Sequence, residues 1–129
     1  MGVYRFEDLR VWQLAKQQSD DVGALLQRDS FRDDRKLADQ LNAASISVPL
    51  NISEAFLRRR DGEMRQFLRY AAASNGETRA AVHLAEGRRY LRADEAERLI
   101  ERSNSIGRML TRWQQTLRTD PGPRTRTKD

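Results

Sequence analysis

The chain has 129 residues, 33% of them charged and 38% hydrophobic, and its 24 basic against 19 acidic side chains leave a net charge of +5. That length suits one domain able to fold without staples and leaves little room for two. The absence of cysteine excludes disulfides, thiolate catalysis and cysteine-based zinc sites. No apolar run approaches the roughly 20 residues of a membrane span. The opening MGVYRFEDLRVWQ meets charge too early for a signal peptide, and Phe6 stands where a myristoylation signal needs Ser or Thr. A cytoplasmic protein is expected.

Spacing predicts four helices. The first covers residues 7–28, where Leu9, Trp12, Ala15, Ser19, Val22 and Leu26 recur at steps of three and four. The stretch DSFRDD reads as a break, with Asp33 or Asp34 as the next N-cap. The second helix covers residues 35–58 and carries two stripes. Leu37, Leu41, Ala44, Val48, Ile52 and Ala55 form one, and Ala43, Ile46, Leu50, Ser53 and Leu57 form the other. A bundle helix with a wet outer side needs only one, so the second either widens the contact within the chain or meets another subunit.

The third helix covers residues 62–90 behind Asp61 as N-cap, and Met64, Phe67, Ala71, Ser74, Thr78, Ala81 and Ala85 share a face. Its middle, YAAASNGETRAA, is rich in small residues that permit close packing, Ala72 among them. The fourth helix covers residues 93–118 on Ala96, Leu99, Ser103, Ile106, Leu110, Trp113 and Leu117. Residues 119–129, DPGPRTRTKD with its preceding Thr, read as a disordered basic tail on a domain spanning 1–118. Short connections between helices of similar length imply an all-α, antiparallel up-down-up-down four-helix bundle.

Pro49 interrupts the second helix. A proline there deletes one hydrogen bond at a cost of ~3 kcal/mol and should kink the helix, freeing the Ser45 carbonyl for nearby polar side chains. A bend that wraps the helix around a core explains the same residue. Asn51 and Glu54, and on the third helix Ser74, Asn75 and Glu77, suggest a polar network between the two helix middles, drawing on Arg69 or Arg79. Catalysis is not expected: serine and glutamate without histidine make no nucleophile and base pair. His83, the single histidine, forms with Glu86 one HxxE pair, and a di-metal bundle needs two. No cofactor or metal is expected.

Arginines gather at both ends. Arg58, Arg59 and Arg60 should share one end with both termini, and Arg88, Arg89 and Arg92 the other with Arg28, Arg32, Arg35 and Lys36. Such clusters can dock phosphates, although arginine at a helix C-terminus also answers the helix dipole. Aspartates at 29, 33, 34, 61 and 94 dilute both ends.

YRFEDLRVWQLA, AASISVPLNISEAFLRR and MRQFLRYAAASNGET, in that order, resemble a bacterial four-helix bundle family over roughly residues 4–118. It includes proteins encoded in intervening sequences of large-subunit ribosomal RNA genes and the accessory variability proteins of diversity-generating retroelements. The resemblance implies a homopentamer around a central channel, with Ile46, Leu50, Leu57 and Ala72 at subunit interfaces. It implies that Pro49, Asn51, Glu54, Ser74 and Glu77 belong to shared core motifs. RNA or DNA, and a reverse transcriptase, are the partners known for the retroelement relatives. Ala55 stands where glycine is usual, and Arg92-Ala93-Asp94 lacks the common serine cap; both bear on local loop geometry. The expectation is a non-enzymatic oligomeric scaffold that binds nucleic acid through arginines, the alternative being a protein interaction module with no nucleic-acid role.

Overall fold

The computed structural model describes residues 2–118, which are all-helical and contain no strand. A 3-10 turn at Phe6–Asp8 leads into α1 (Arg10–Leu25), α2 (Asp29–Asp33), α3 (Arg35–Leu57), α4 (Asp61–Gly87) and α5 (Ala93–Gln115). No helix among these residues is long and apolar enough to cross a membrane. The basic tail expected at 119–129 lies outside the described residues.

Five helices replace the expected four, and several boundaries move for local reasons. The first helix does not run from residue 7, because Leu9 is extended with ψ 128°. Residues six apart on one helix point to different sides; the bend at Leu9 instead brings Phe6 onto Trp12, with ring centroids 5.1 Å apart. It also ends at Leu25 rather than 28. The DSFRDD stretch is not a break but the short helix α2, anchored by a fully buried Phe31. Asp34 caps α3 by accepting the Leu37 N–H at 3.2 Å.

Asp61 does not cap α4. It is the first helical residue, Arg60 holds the cap position, and the Asp61 carboxylate accepts the Arg118 N–H at 2.7 Å. α4 stops at Gly87, not at 90, because Arg89 takes the left-handed φ of 65°. Tyr90 N–H then reaches the Ala85 carbonyl and Arg89 N–H that of Glu86, both at 2.9 Å, which closes the last turn as a Schellman motif. α5 ends at Gln115, short of 118. At its start Glu95 accepts the Arg92 N–H at 2.9 Å, half of a capping box that substitutes for a serine cap.

α1 packs against α3 and α5, α4 also packs against α3 and α5, and the α3–α4 interface is the most extensive. Two apolar clusters fill the enclosed space. Val22, Phe31, Leu41, Val82 and Leu99 anchor one; Val11, Ile52, Leu68, Ile106 and Leu110 anchor the other. Buried polar side chains sit between them along the chain. Gln18 donates to the Leu99 carbonyl at 2.7 Å. Asn75 Nδ2 donates to the Ser103 carbonyl at 2.9 Å while Ser103 Oγ donates to Asn75 Oδ1 at 3.0 Å. Ser74 Oγ donates to Ser47 Oγ at 2.9 Å.

Pro49 lies buried within α3 without ending it. Around it, Asn51 Nδ2 donates to both the Ser47 carbonyl and Ser47 Oγ, and Ser53 Oγ to the Leu50 carbonyl. Such back-bonds draw helix carbonyls toward side chains.

Arg89 is the one residue other than glycine with positive φ among the described residues. A side chain there costs ~1–2 kcal/mol, of which the greater unfolded-state freedom of glycine returns part. Arg89→Gly is therefore expected to raise stability by roughly 0.5–1 kcal/mol, read as a higher urea midpoint at constant slope.

Candidate nucleic-acid interface

At the α3–α4 connection, Arg58 pairs with Glu54 at 2.6 Å and its guanidinium lies 4.6 Å from the centre of the Phe67 ring. One turn of helix separates the pair, so Glu54 neutralises this arginine instead of joining a network. Arg59 and Arg60 are exposed and, among the described residues, have no carboxylate within 4 Å. The Asp61 contact to Arg118 brings the end of the described chain to the same place.

At the other end Arg28, Arg88 and Arg92 are drawn into a carboxylate network, while Arg32, Arg35 and Lys36 are exposed. Arg28 forks onto Glu95 with contacts of 3.0 and 2.5 Å, and also donates to the Tyr90 carbonyl at 3.1 Å. The Arg28 bond, with help from the Arg92 N–H and the two guanidinium charges, pulls Glu95 down to about 2 against desolvation. Arg92 pairs with Asp94 at 3.1 Å and approaches Glu95 at 3.5 Å. Arg88 lies 3.7 Å from Asp34, which accepts the Tyr90 hydroxyl at 2.9 Å. That hydroxyl, then the Leu37 N–H, holds the Asp34 carboxyl below its usual range, and the same bond raises Tyr90. Arg89 is exposed. Thus, among the described residues, Arg58, Arg88 and Arg92 carry carboxylate partners, while Arg59, Arg60 and Arg89 do not.

The two stripes of α3 separate cleanly. Leu37, Leu41, Ala44, Val48, Ile52 and Ala55 are buried. Opposite them Ile46, Leu50 and Leu57 are 40%, 58% and 62% exposed, and on α4 Tyr70 and Leu84 are exposed by about half. Ala72 is not part of this face. It follows Tyr70 by two residues, about 200° round the helix, and lines a cleft between α4 and α5.

Ser47, Asn51 and Ser74 join α3 to α4. Glu77 is exposed, as is Arg69, and Arg79 points its contact toward α5, donating to Asn104 Oδ1 at 3.4 Å. The polar network therefore forms without Glu54, Glu77 or Arg69, and its second half, Asn75 with Ser103, links α4 to α5 instead. His83 is exposed. Among the described residues no group of three His, Cys, Asp or Glu side chains could hold a metal ion.

The cleft holding Ala72 measures about 670 Å³ and is lined by Arg79, Arg108 and Arg112 with Asn104, Thr111 and Gln115, and by no carboxylate among the described residues. These arginines lie outside the set expected from sequence. Their signal was present: positions 104, 108, 111, 112 and 115 form a stripe on the last helix that contains no acid.

The model of the 23S rRNA-intervening sequence protein family matches residues 7–112. The chain belongs to that family. No curated protein matches it. Both arginine-bearing connections, the exposed strip of α3 and most of the α4–α5 cleft fall inside the 23S rRNA-intervening sequence protein region.

The Glu95 contact makes stability pH-dependent with a definite sign. Its carboxyl moves from 4.5 unfolded to about 2 folded, so the stabilisation is complete above pH 4.5 and is lost as pH falls toward 2. With Arg28 partly solvated, about 2 kcal/mol is at stake. Glu95→Gln should lower stability at neutral pH and flatten the stability profile over that acidic window, as followed by urea unfolding at each pH.

Proposed function

We propose that this family member is a non-enzymatic, cytoplasmic, homo-oligomeric scaffold that binds RNA or DNA through its arginines. The protomer reads as an antiparallel up-down-up-down bundle of α1, α3, α4 and α5, bent at Pro49. Partner residues support this by running in opposite numerical order. Asp34 meets Tyr90 where Ser47 meets Ser74, and Val22 shares a cluster with Leu99 where Val11 shares one with Leu110.

The observation that carries the oligomer is the outward strip of α3. Ile46, Leu50 and Leu57 stand clear of their own core, Tyr70 and Leu84 are exposed on the helix packed beside α3, and exposed apolar side chains gathered on one face mark an interface. A pentamer is the count that the family resemblance implies. A ring would repeat the exposed Arg59, Arg60 and Arg89 around its symmetry axis and sum their potential, which gives a net charge of +5 per chain a use in holding polyanions.

Light scattering should return a multiple of the protomer mass for the wild-type chain. Leu50→Glu should return the protomer mass with unchanged far-UV helicity. A wild-type protomer at micromolar concentration would reject the oligomer. Nucleic-acid binding should weaken steeply with salt, each neutralised phosphate contributing about 0.7–0.9 to the log–log slope. An intact oligomer that fails to bind any polynucleotide at low salt would reject the second half of the reading and leave a protein interaction module.

A further inference from the structure

We infer that the cleft between α4 and α5 is a binding groove for the phosphodiester backbone of single-stranded nucleic acid, an inference that rests on the nucleic-acid reading above and gives it a location. The first ground is the company each arginine keeps. Arg28, Arg58, Arg88, Arg92, Arg98 and Arg102 each lie within 4.0 Å of a carboxylate. An arginine so paired must give up one anion to accept another. Among the described residues the partners of Arg79 and Arg108 are neutral, the Asn104 amide oxygen and the Ser105 hydroxyl, at 3.4 and 3.1 Å. With Arg112 they face a cleft in which no acid among the described residues competes.

The second ground is shape. Arg108 and Arg112 are one turn apart on α5, about 6 Å along the axis, a spacing on the scale of successive nucleotides. Arg79 approaches from the facing helix, so a strand in the cleft is held from both walls. Asn104, Thr111 and Gln115 add neutral donors between the charges, a composition suited to phosphate and sugar oxygens. Guanidinium groups offer phosphate a forked pair of donors.

The third ground selects the single strand. Arg112 also lines a second, adjoining pocket of about 490 Å³ built from Leu9, Val11, Met109 and Trp113, with Arg10 in its lining and again no acid among the described residues. A charged track that runs into an apolar patch with an indole is the pairing that single-strand binders use, phosphates on the cations and a base against the aromatic ring. The paired bases of a duplex face each other and cannot enter such a patch. The cleft is on the α5 side of α4, away from Leu50, Leu57 and Tyr70, so the apolar strip and the groove are separate surfaces of one protomer.

The test measures binding of fluorescently labelled RNA and DNA oligonucleotides of one length, single-stranded and duplex, to the full chain between about 50 and 200 mM salt. Arg108→Gln/Arg112→Gln alters two exposed side chains and should leave folding intact, as circular dichroism checks. It should cut single-strand affinity at least tenfold and lower the salt slope by about 1.4, from about 0.7 per phosphate contact on single strands. Lys16→Gln/Arg98→Gln removes the same charge from carboxylate-paired positions elsewhere and should have a much smaller effect. Single strands should bind more tightly than duplex, and comparing RNA with DNA shows which sugar the groove accepts. Equal losses in the two double variants would overturn the groove and leave only diffuse charge. Duplex binding as tight as single-strand binding would overturn the single-strand assignment. Wild-type chain that binds nothing at low salt would overturn the nucleic-acid reading itself, a failure distinct from either.

Discussion

The polar layer across the middle of the helices sets the register on which the remaining surfaces depend. Asn75 and Ser103 exchange hydrogen bonds across α4 and α5, Ser74 meets Ser47 across α4 and α3, and Gln18 reaches the Leu99 carbonyl from α1. Apolar stripes set register less sharply than hydrogen bonds do, because hydrophobic burial is non-directional. Shifting α5 by a turn would strand the Asn75 side chain at a cost of roughly 1–3 kcal/mol, and each helix adds a similar constraint. With the register held, Arg79 stands opposite Asn104 and the acid-free face of α5 closes the cleft.

Charge at the helix ends follows a different logic. Connections crowd carboxylates and guanidinium groups together, and a partly buried carboxylate must find a cation. Glu95 is held by Arg28 and Arg92, Asp34 by Tyr90 and Arg88. Those arginines tie the α1–α2 and α4–α5 connections together before any ligand arrives. Positive charge that is not consumed this way includes the arginines of the α5 stripe from Asn104 to Gln115, which contains no acid, and exposed residues such as Arg32, Arg35, Arg59, Arg60 and Arg69. A clustering of arginines in a sequence therefore locates structural ion pairs as readily as binding sites. Local acid content separates the two.

The stripes of α3, α4 and α5 were legible because a period near 3.6 survives any packing arrangement, and each predicted core position from Leu37 to Ala55 on α3 is buried. The polar residues at the helix middles were legible for the same reason, since Ser74 and Asn75 interrupt an apolar face. Their partners were not. Nothing local to Asn75 points to Ser103 rather than to Asn51, and Glu54 finds Arg58 one turn away before it can reach another helix. Boundaries moved wherever a tertiary contact outbid helical continuation. Leu9 bends so that Phe6 can cover Trp12, Phe31 pulls its own short turn into the core, and Arg89 enters the left-handed region to close α4.

Periodicity and composition were enough to establish an all-helical chain, the inward side of each long helix and the outward apolar strip on α3. These depend on neighbours within two turns, and such neighbours are written in order along the chain. Which arginines remain unpaired, which helix faces which across the polar layer, and where Ala72 and Arg112 come to lie were decided only by folding. The pairing of helices and the walls of the cleft depend on groups 25 or more positions apart, as Arg79 is from Asn104, and chain order carries no record of those distances.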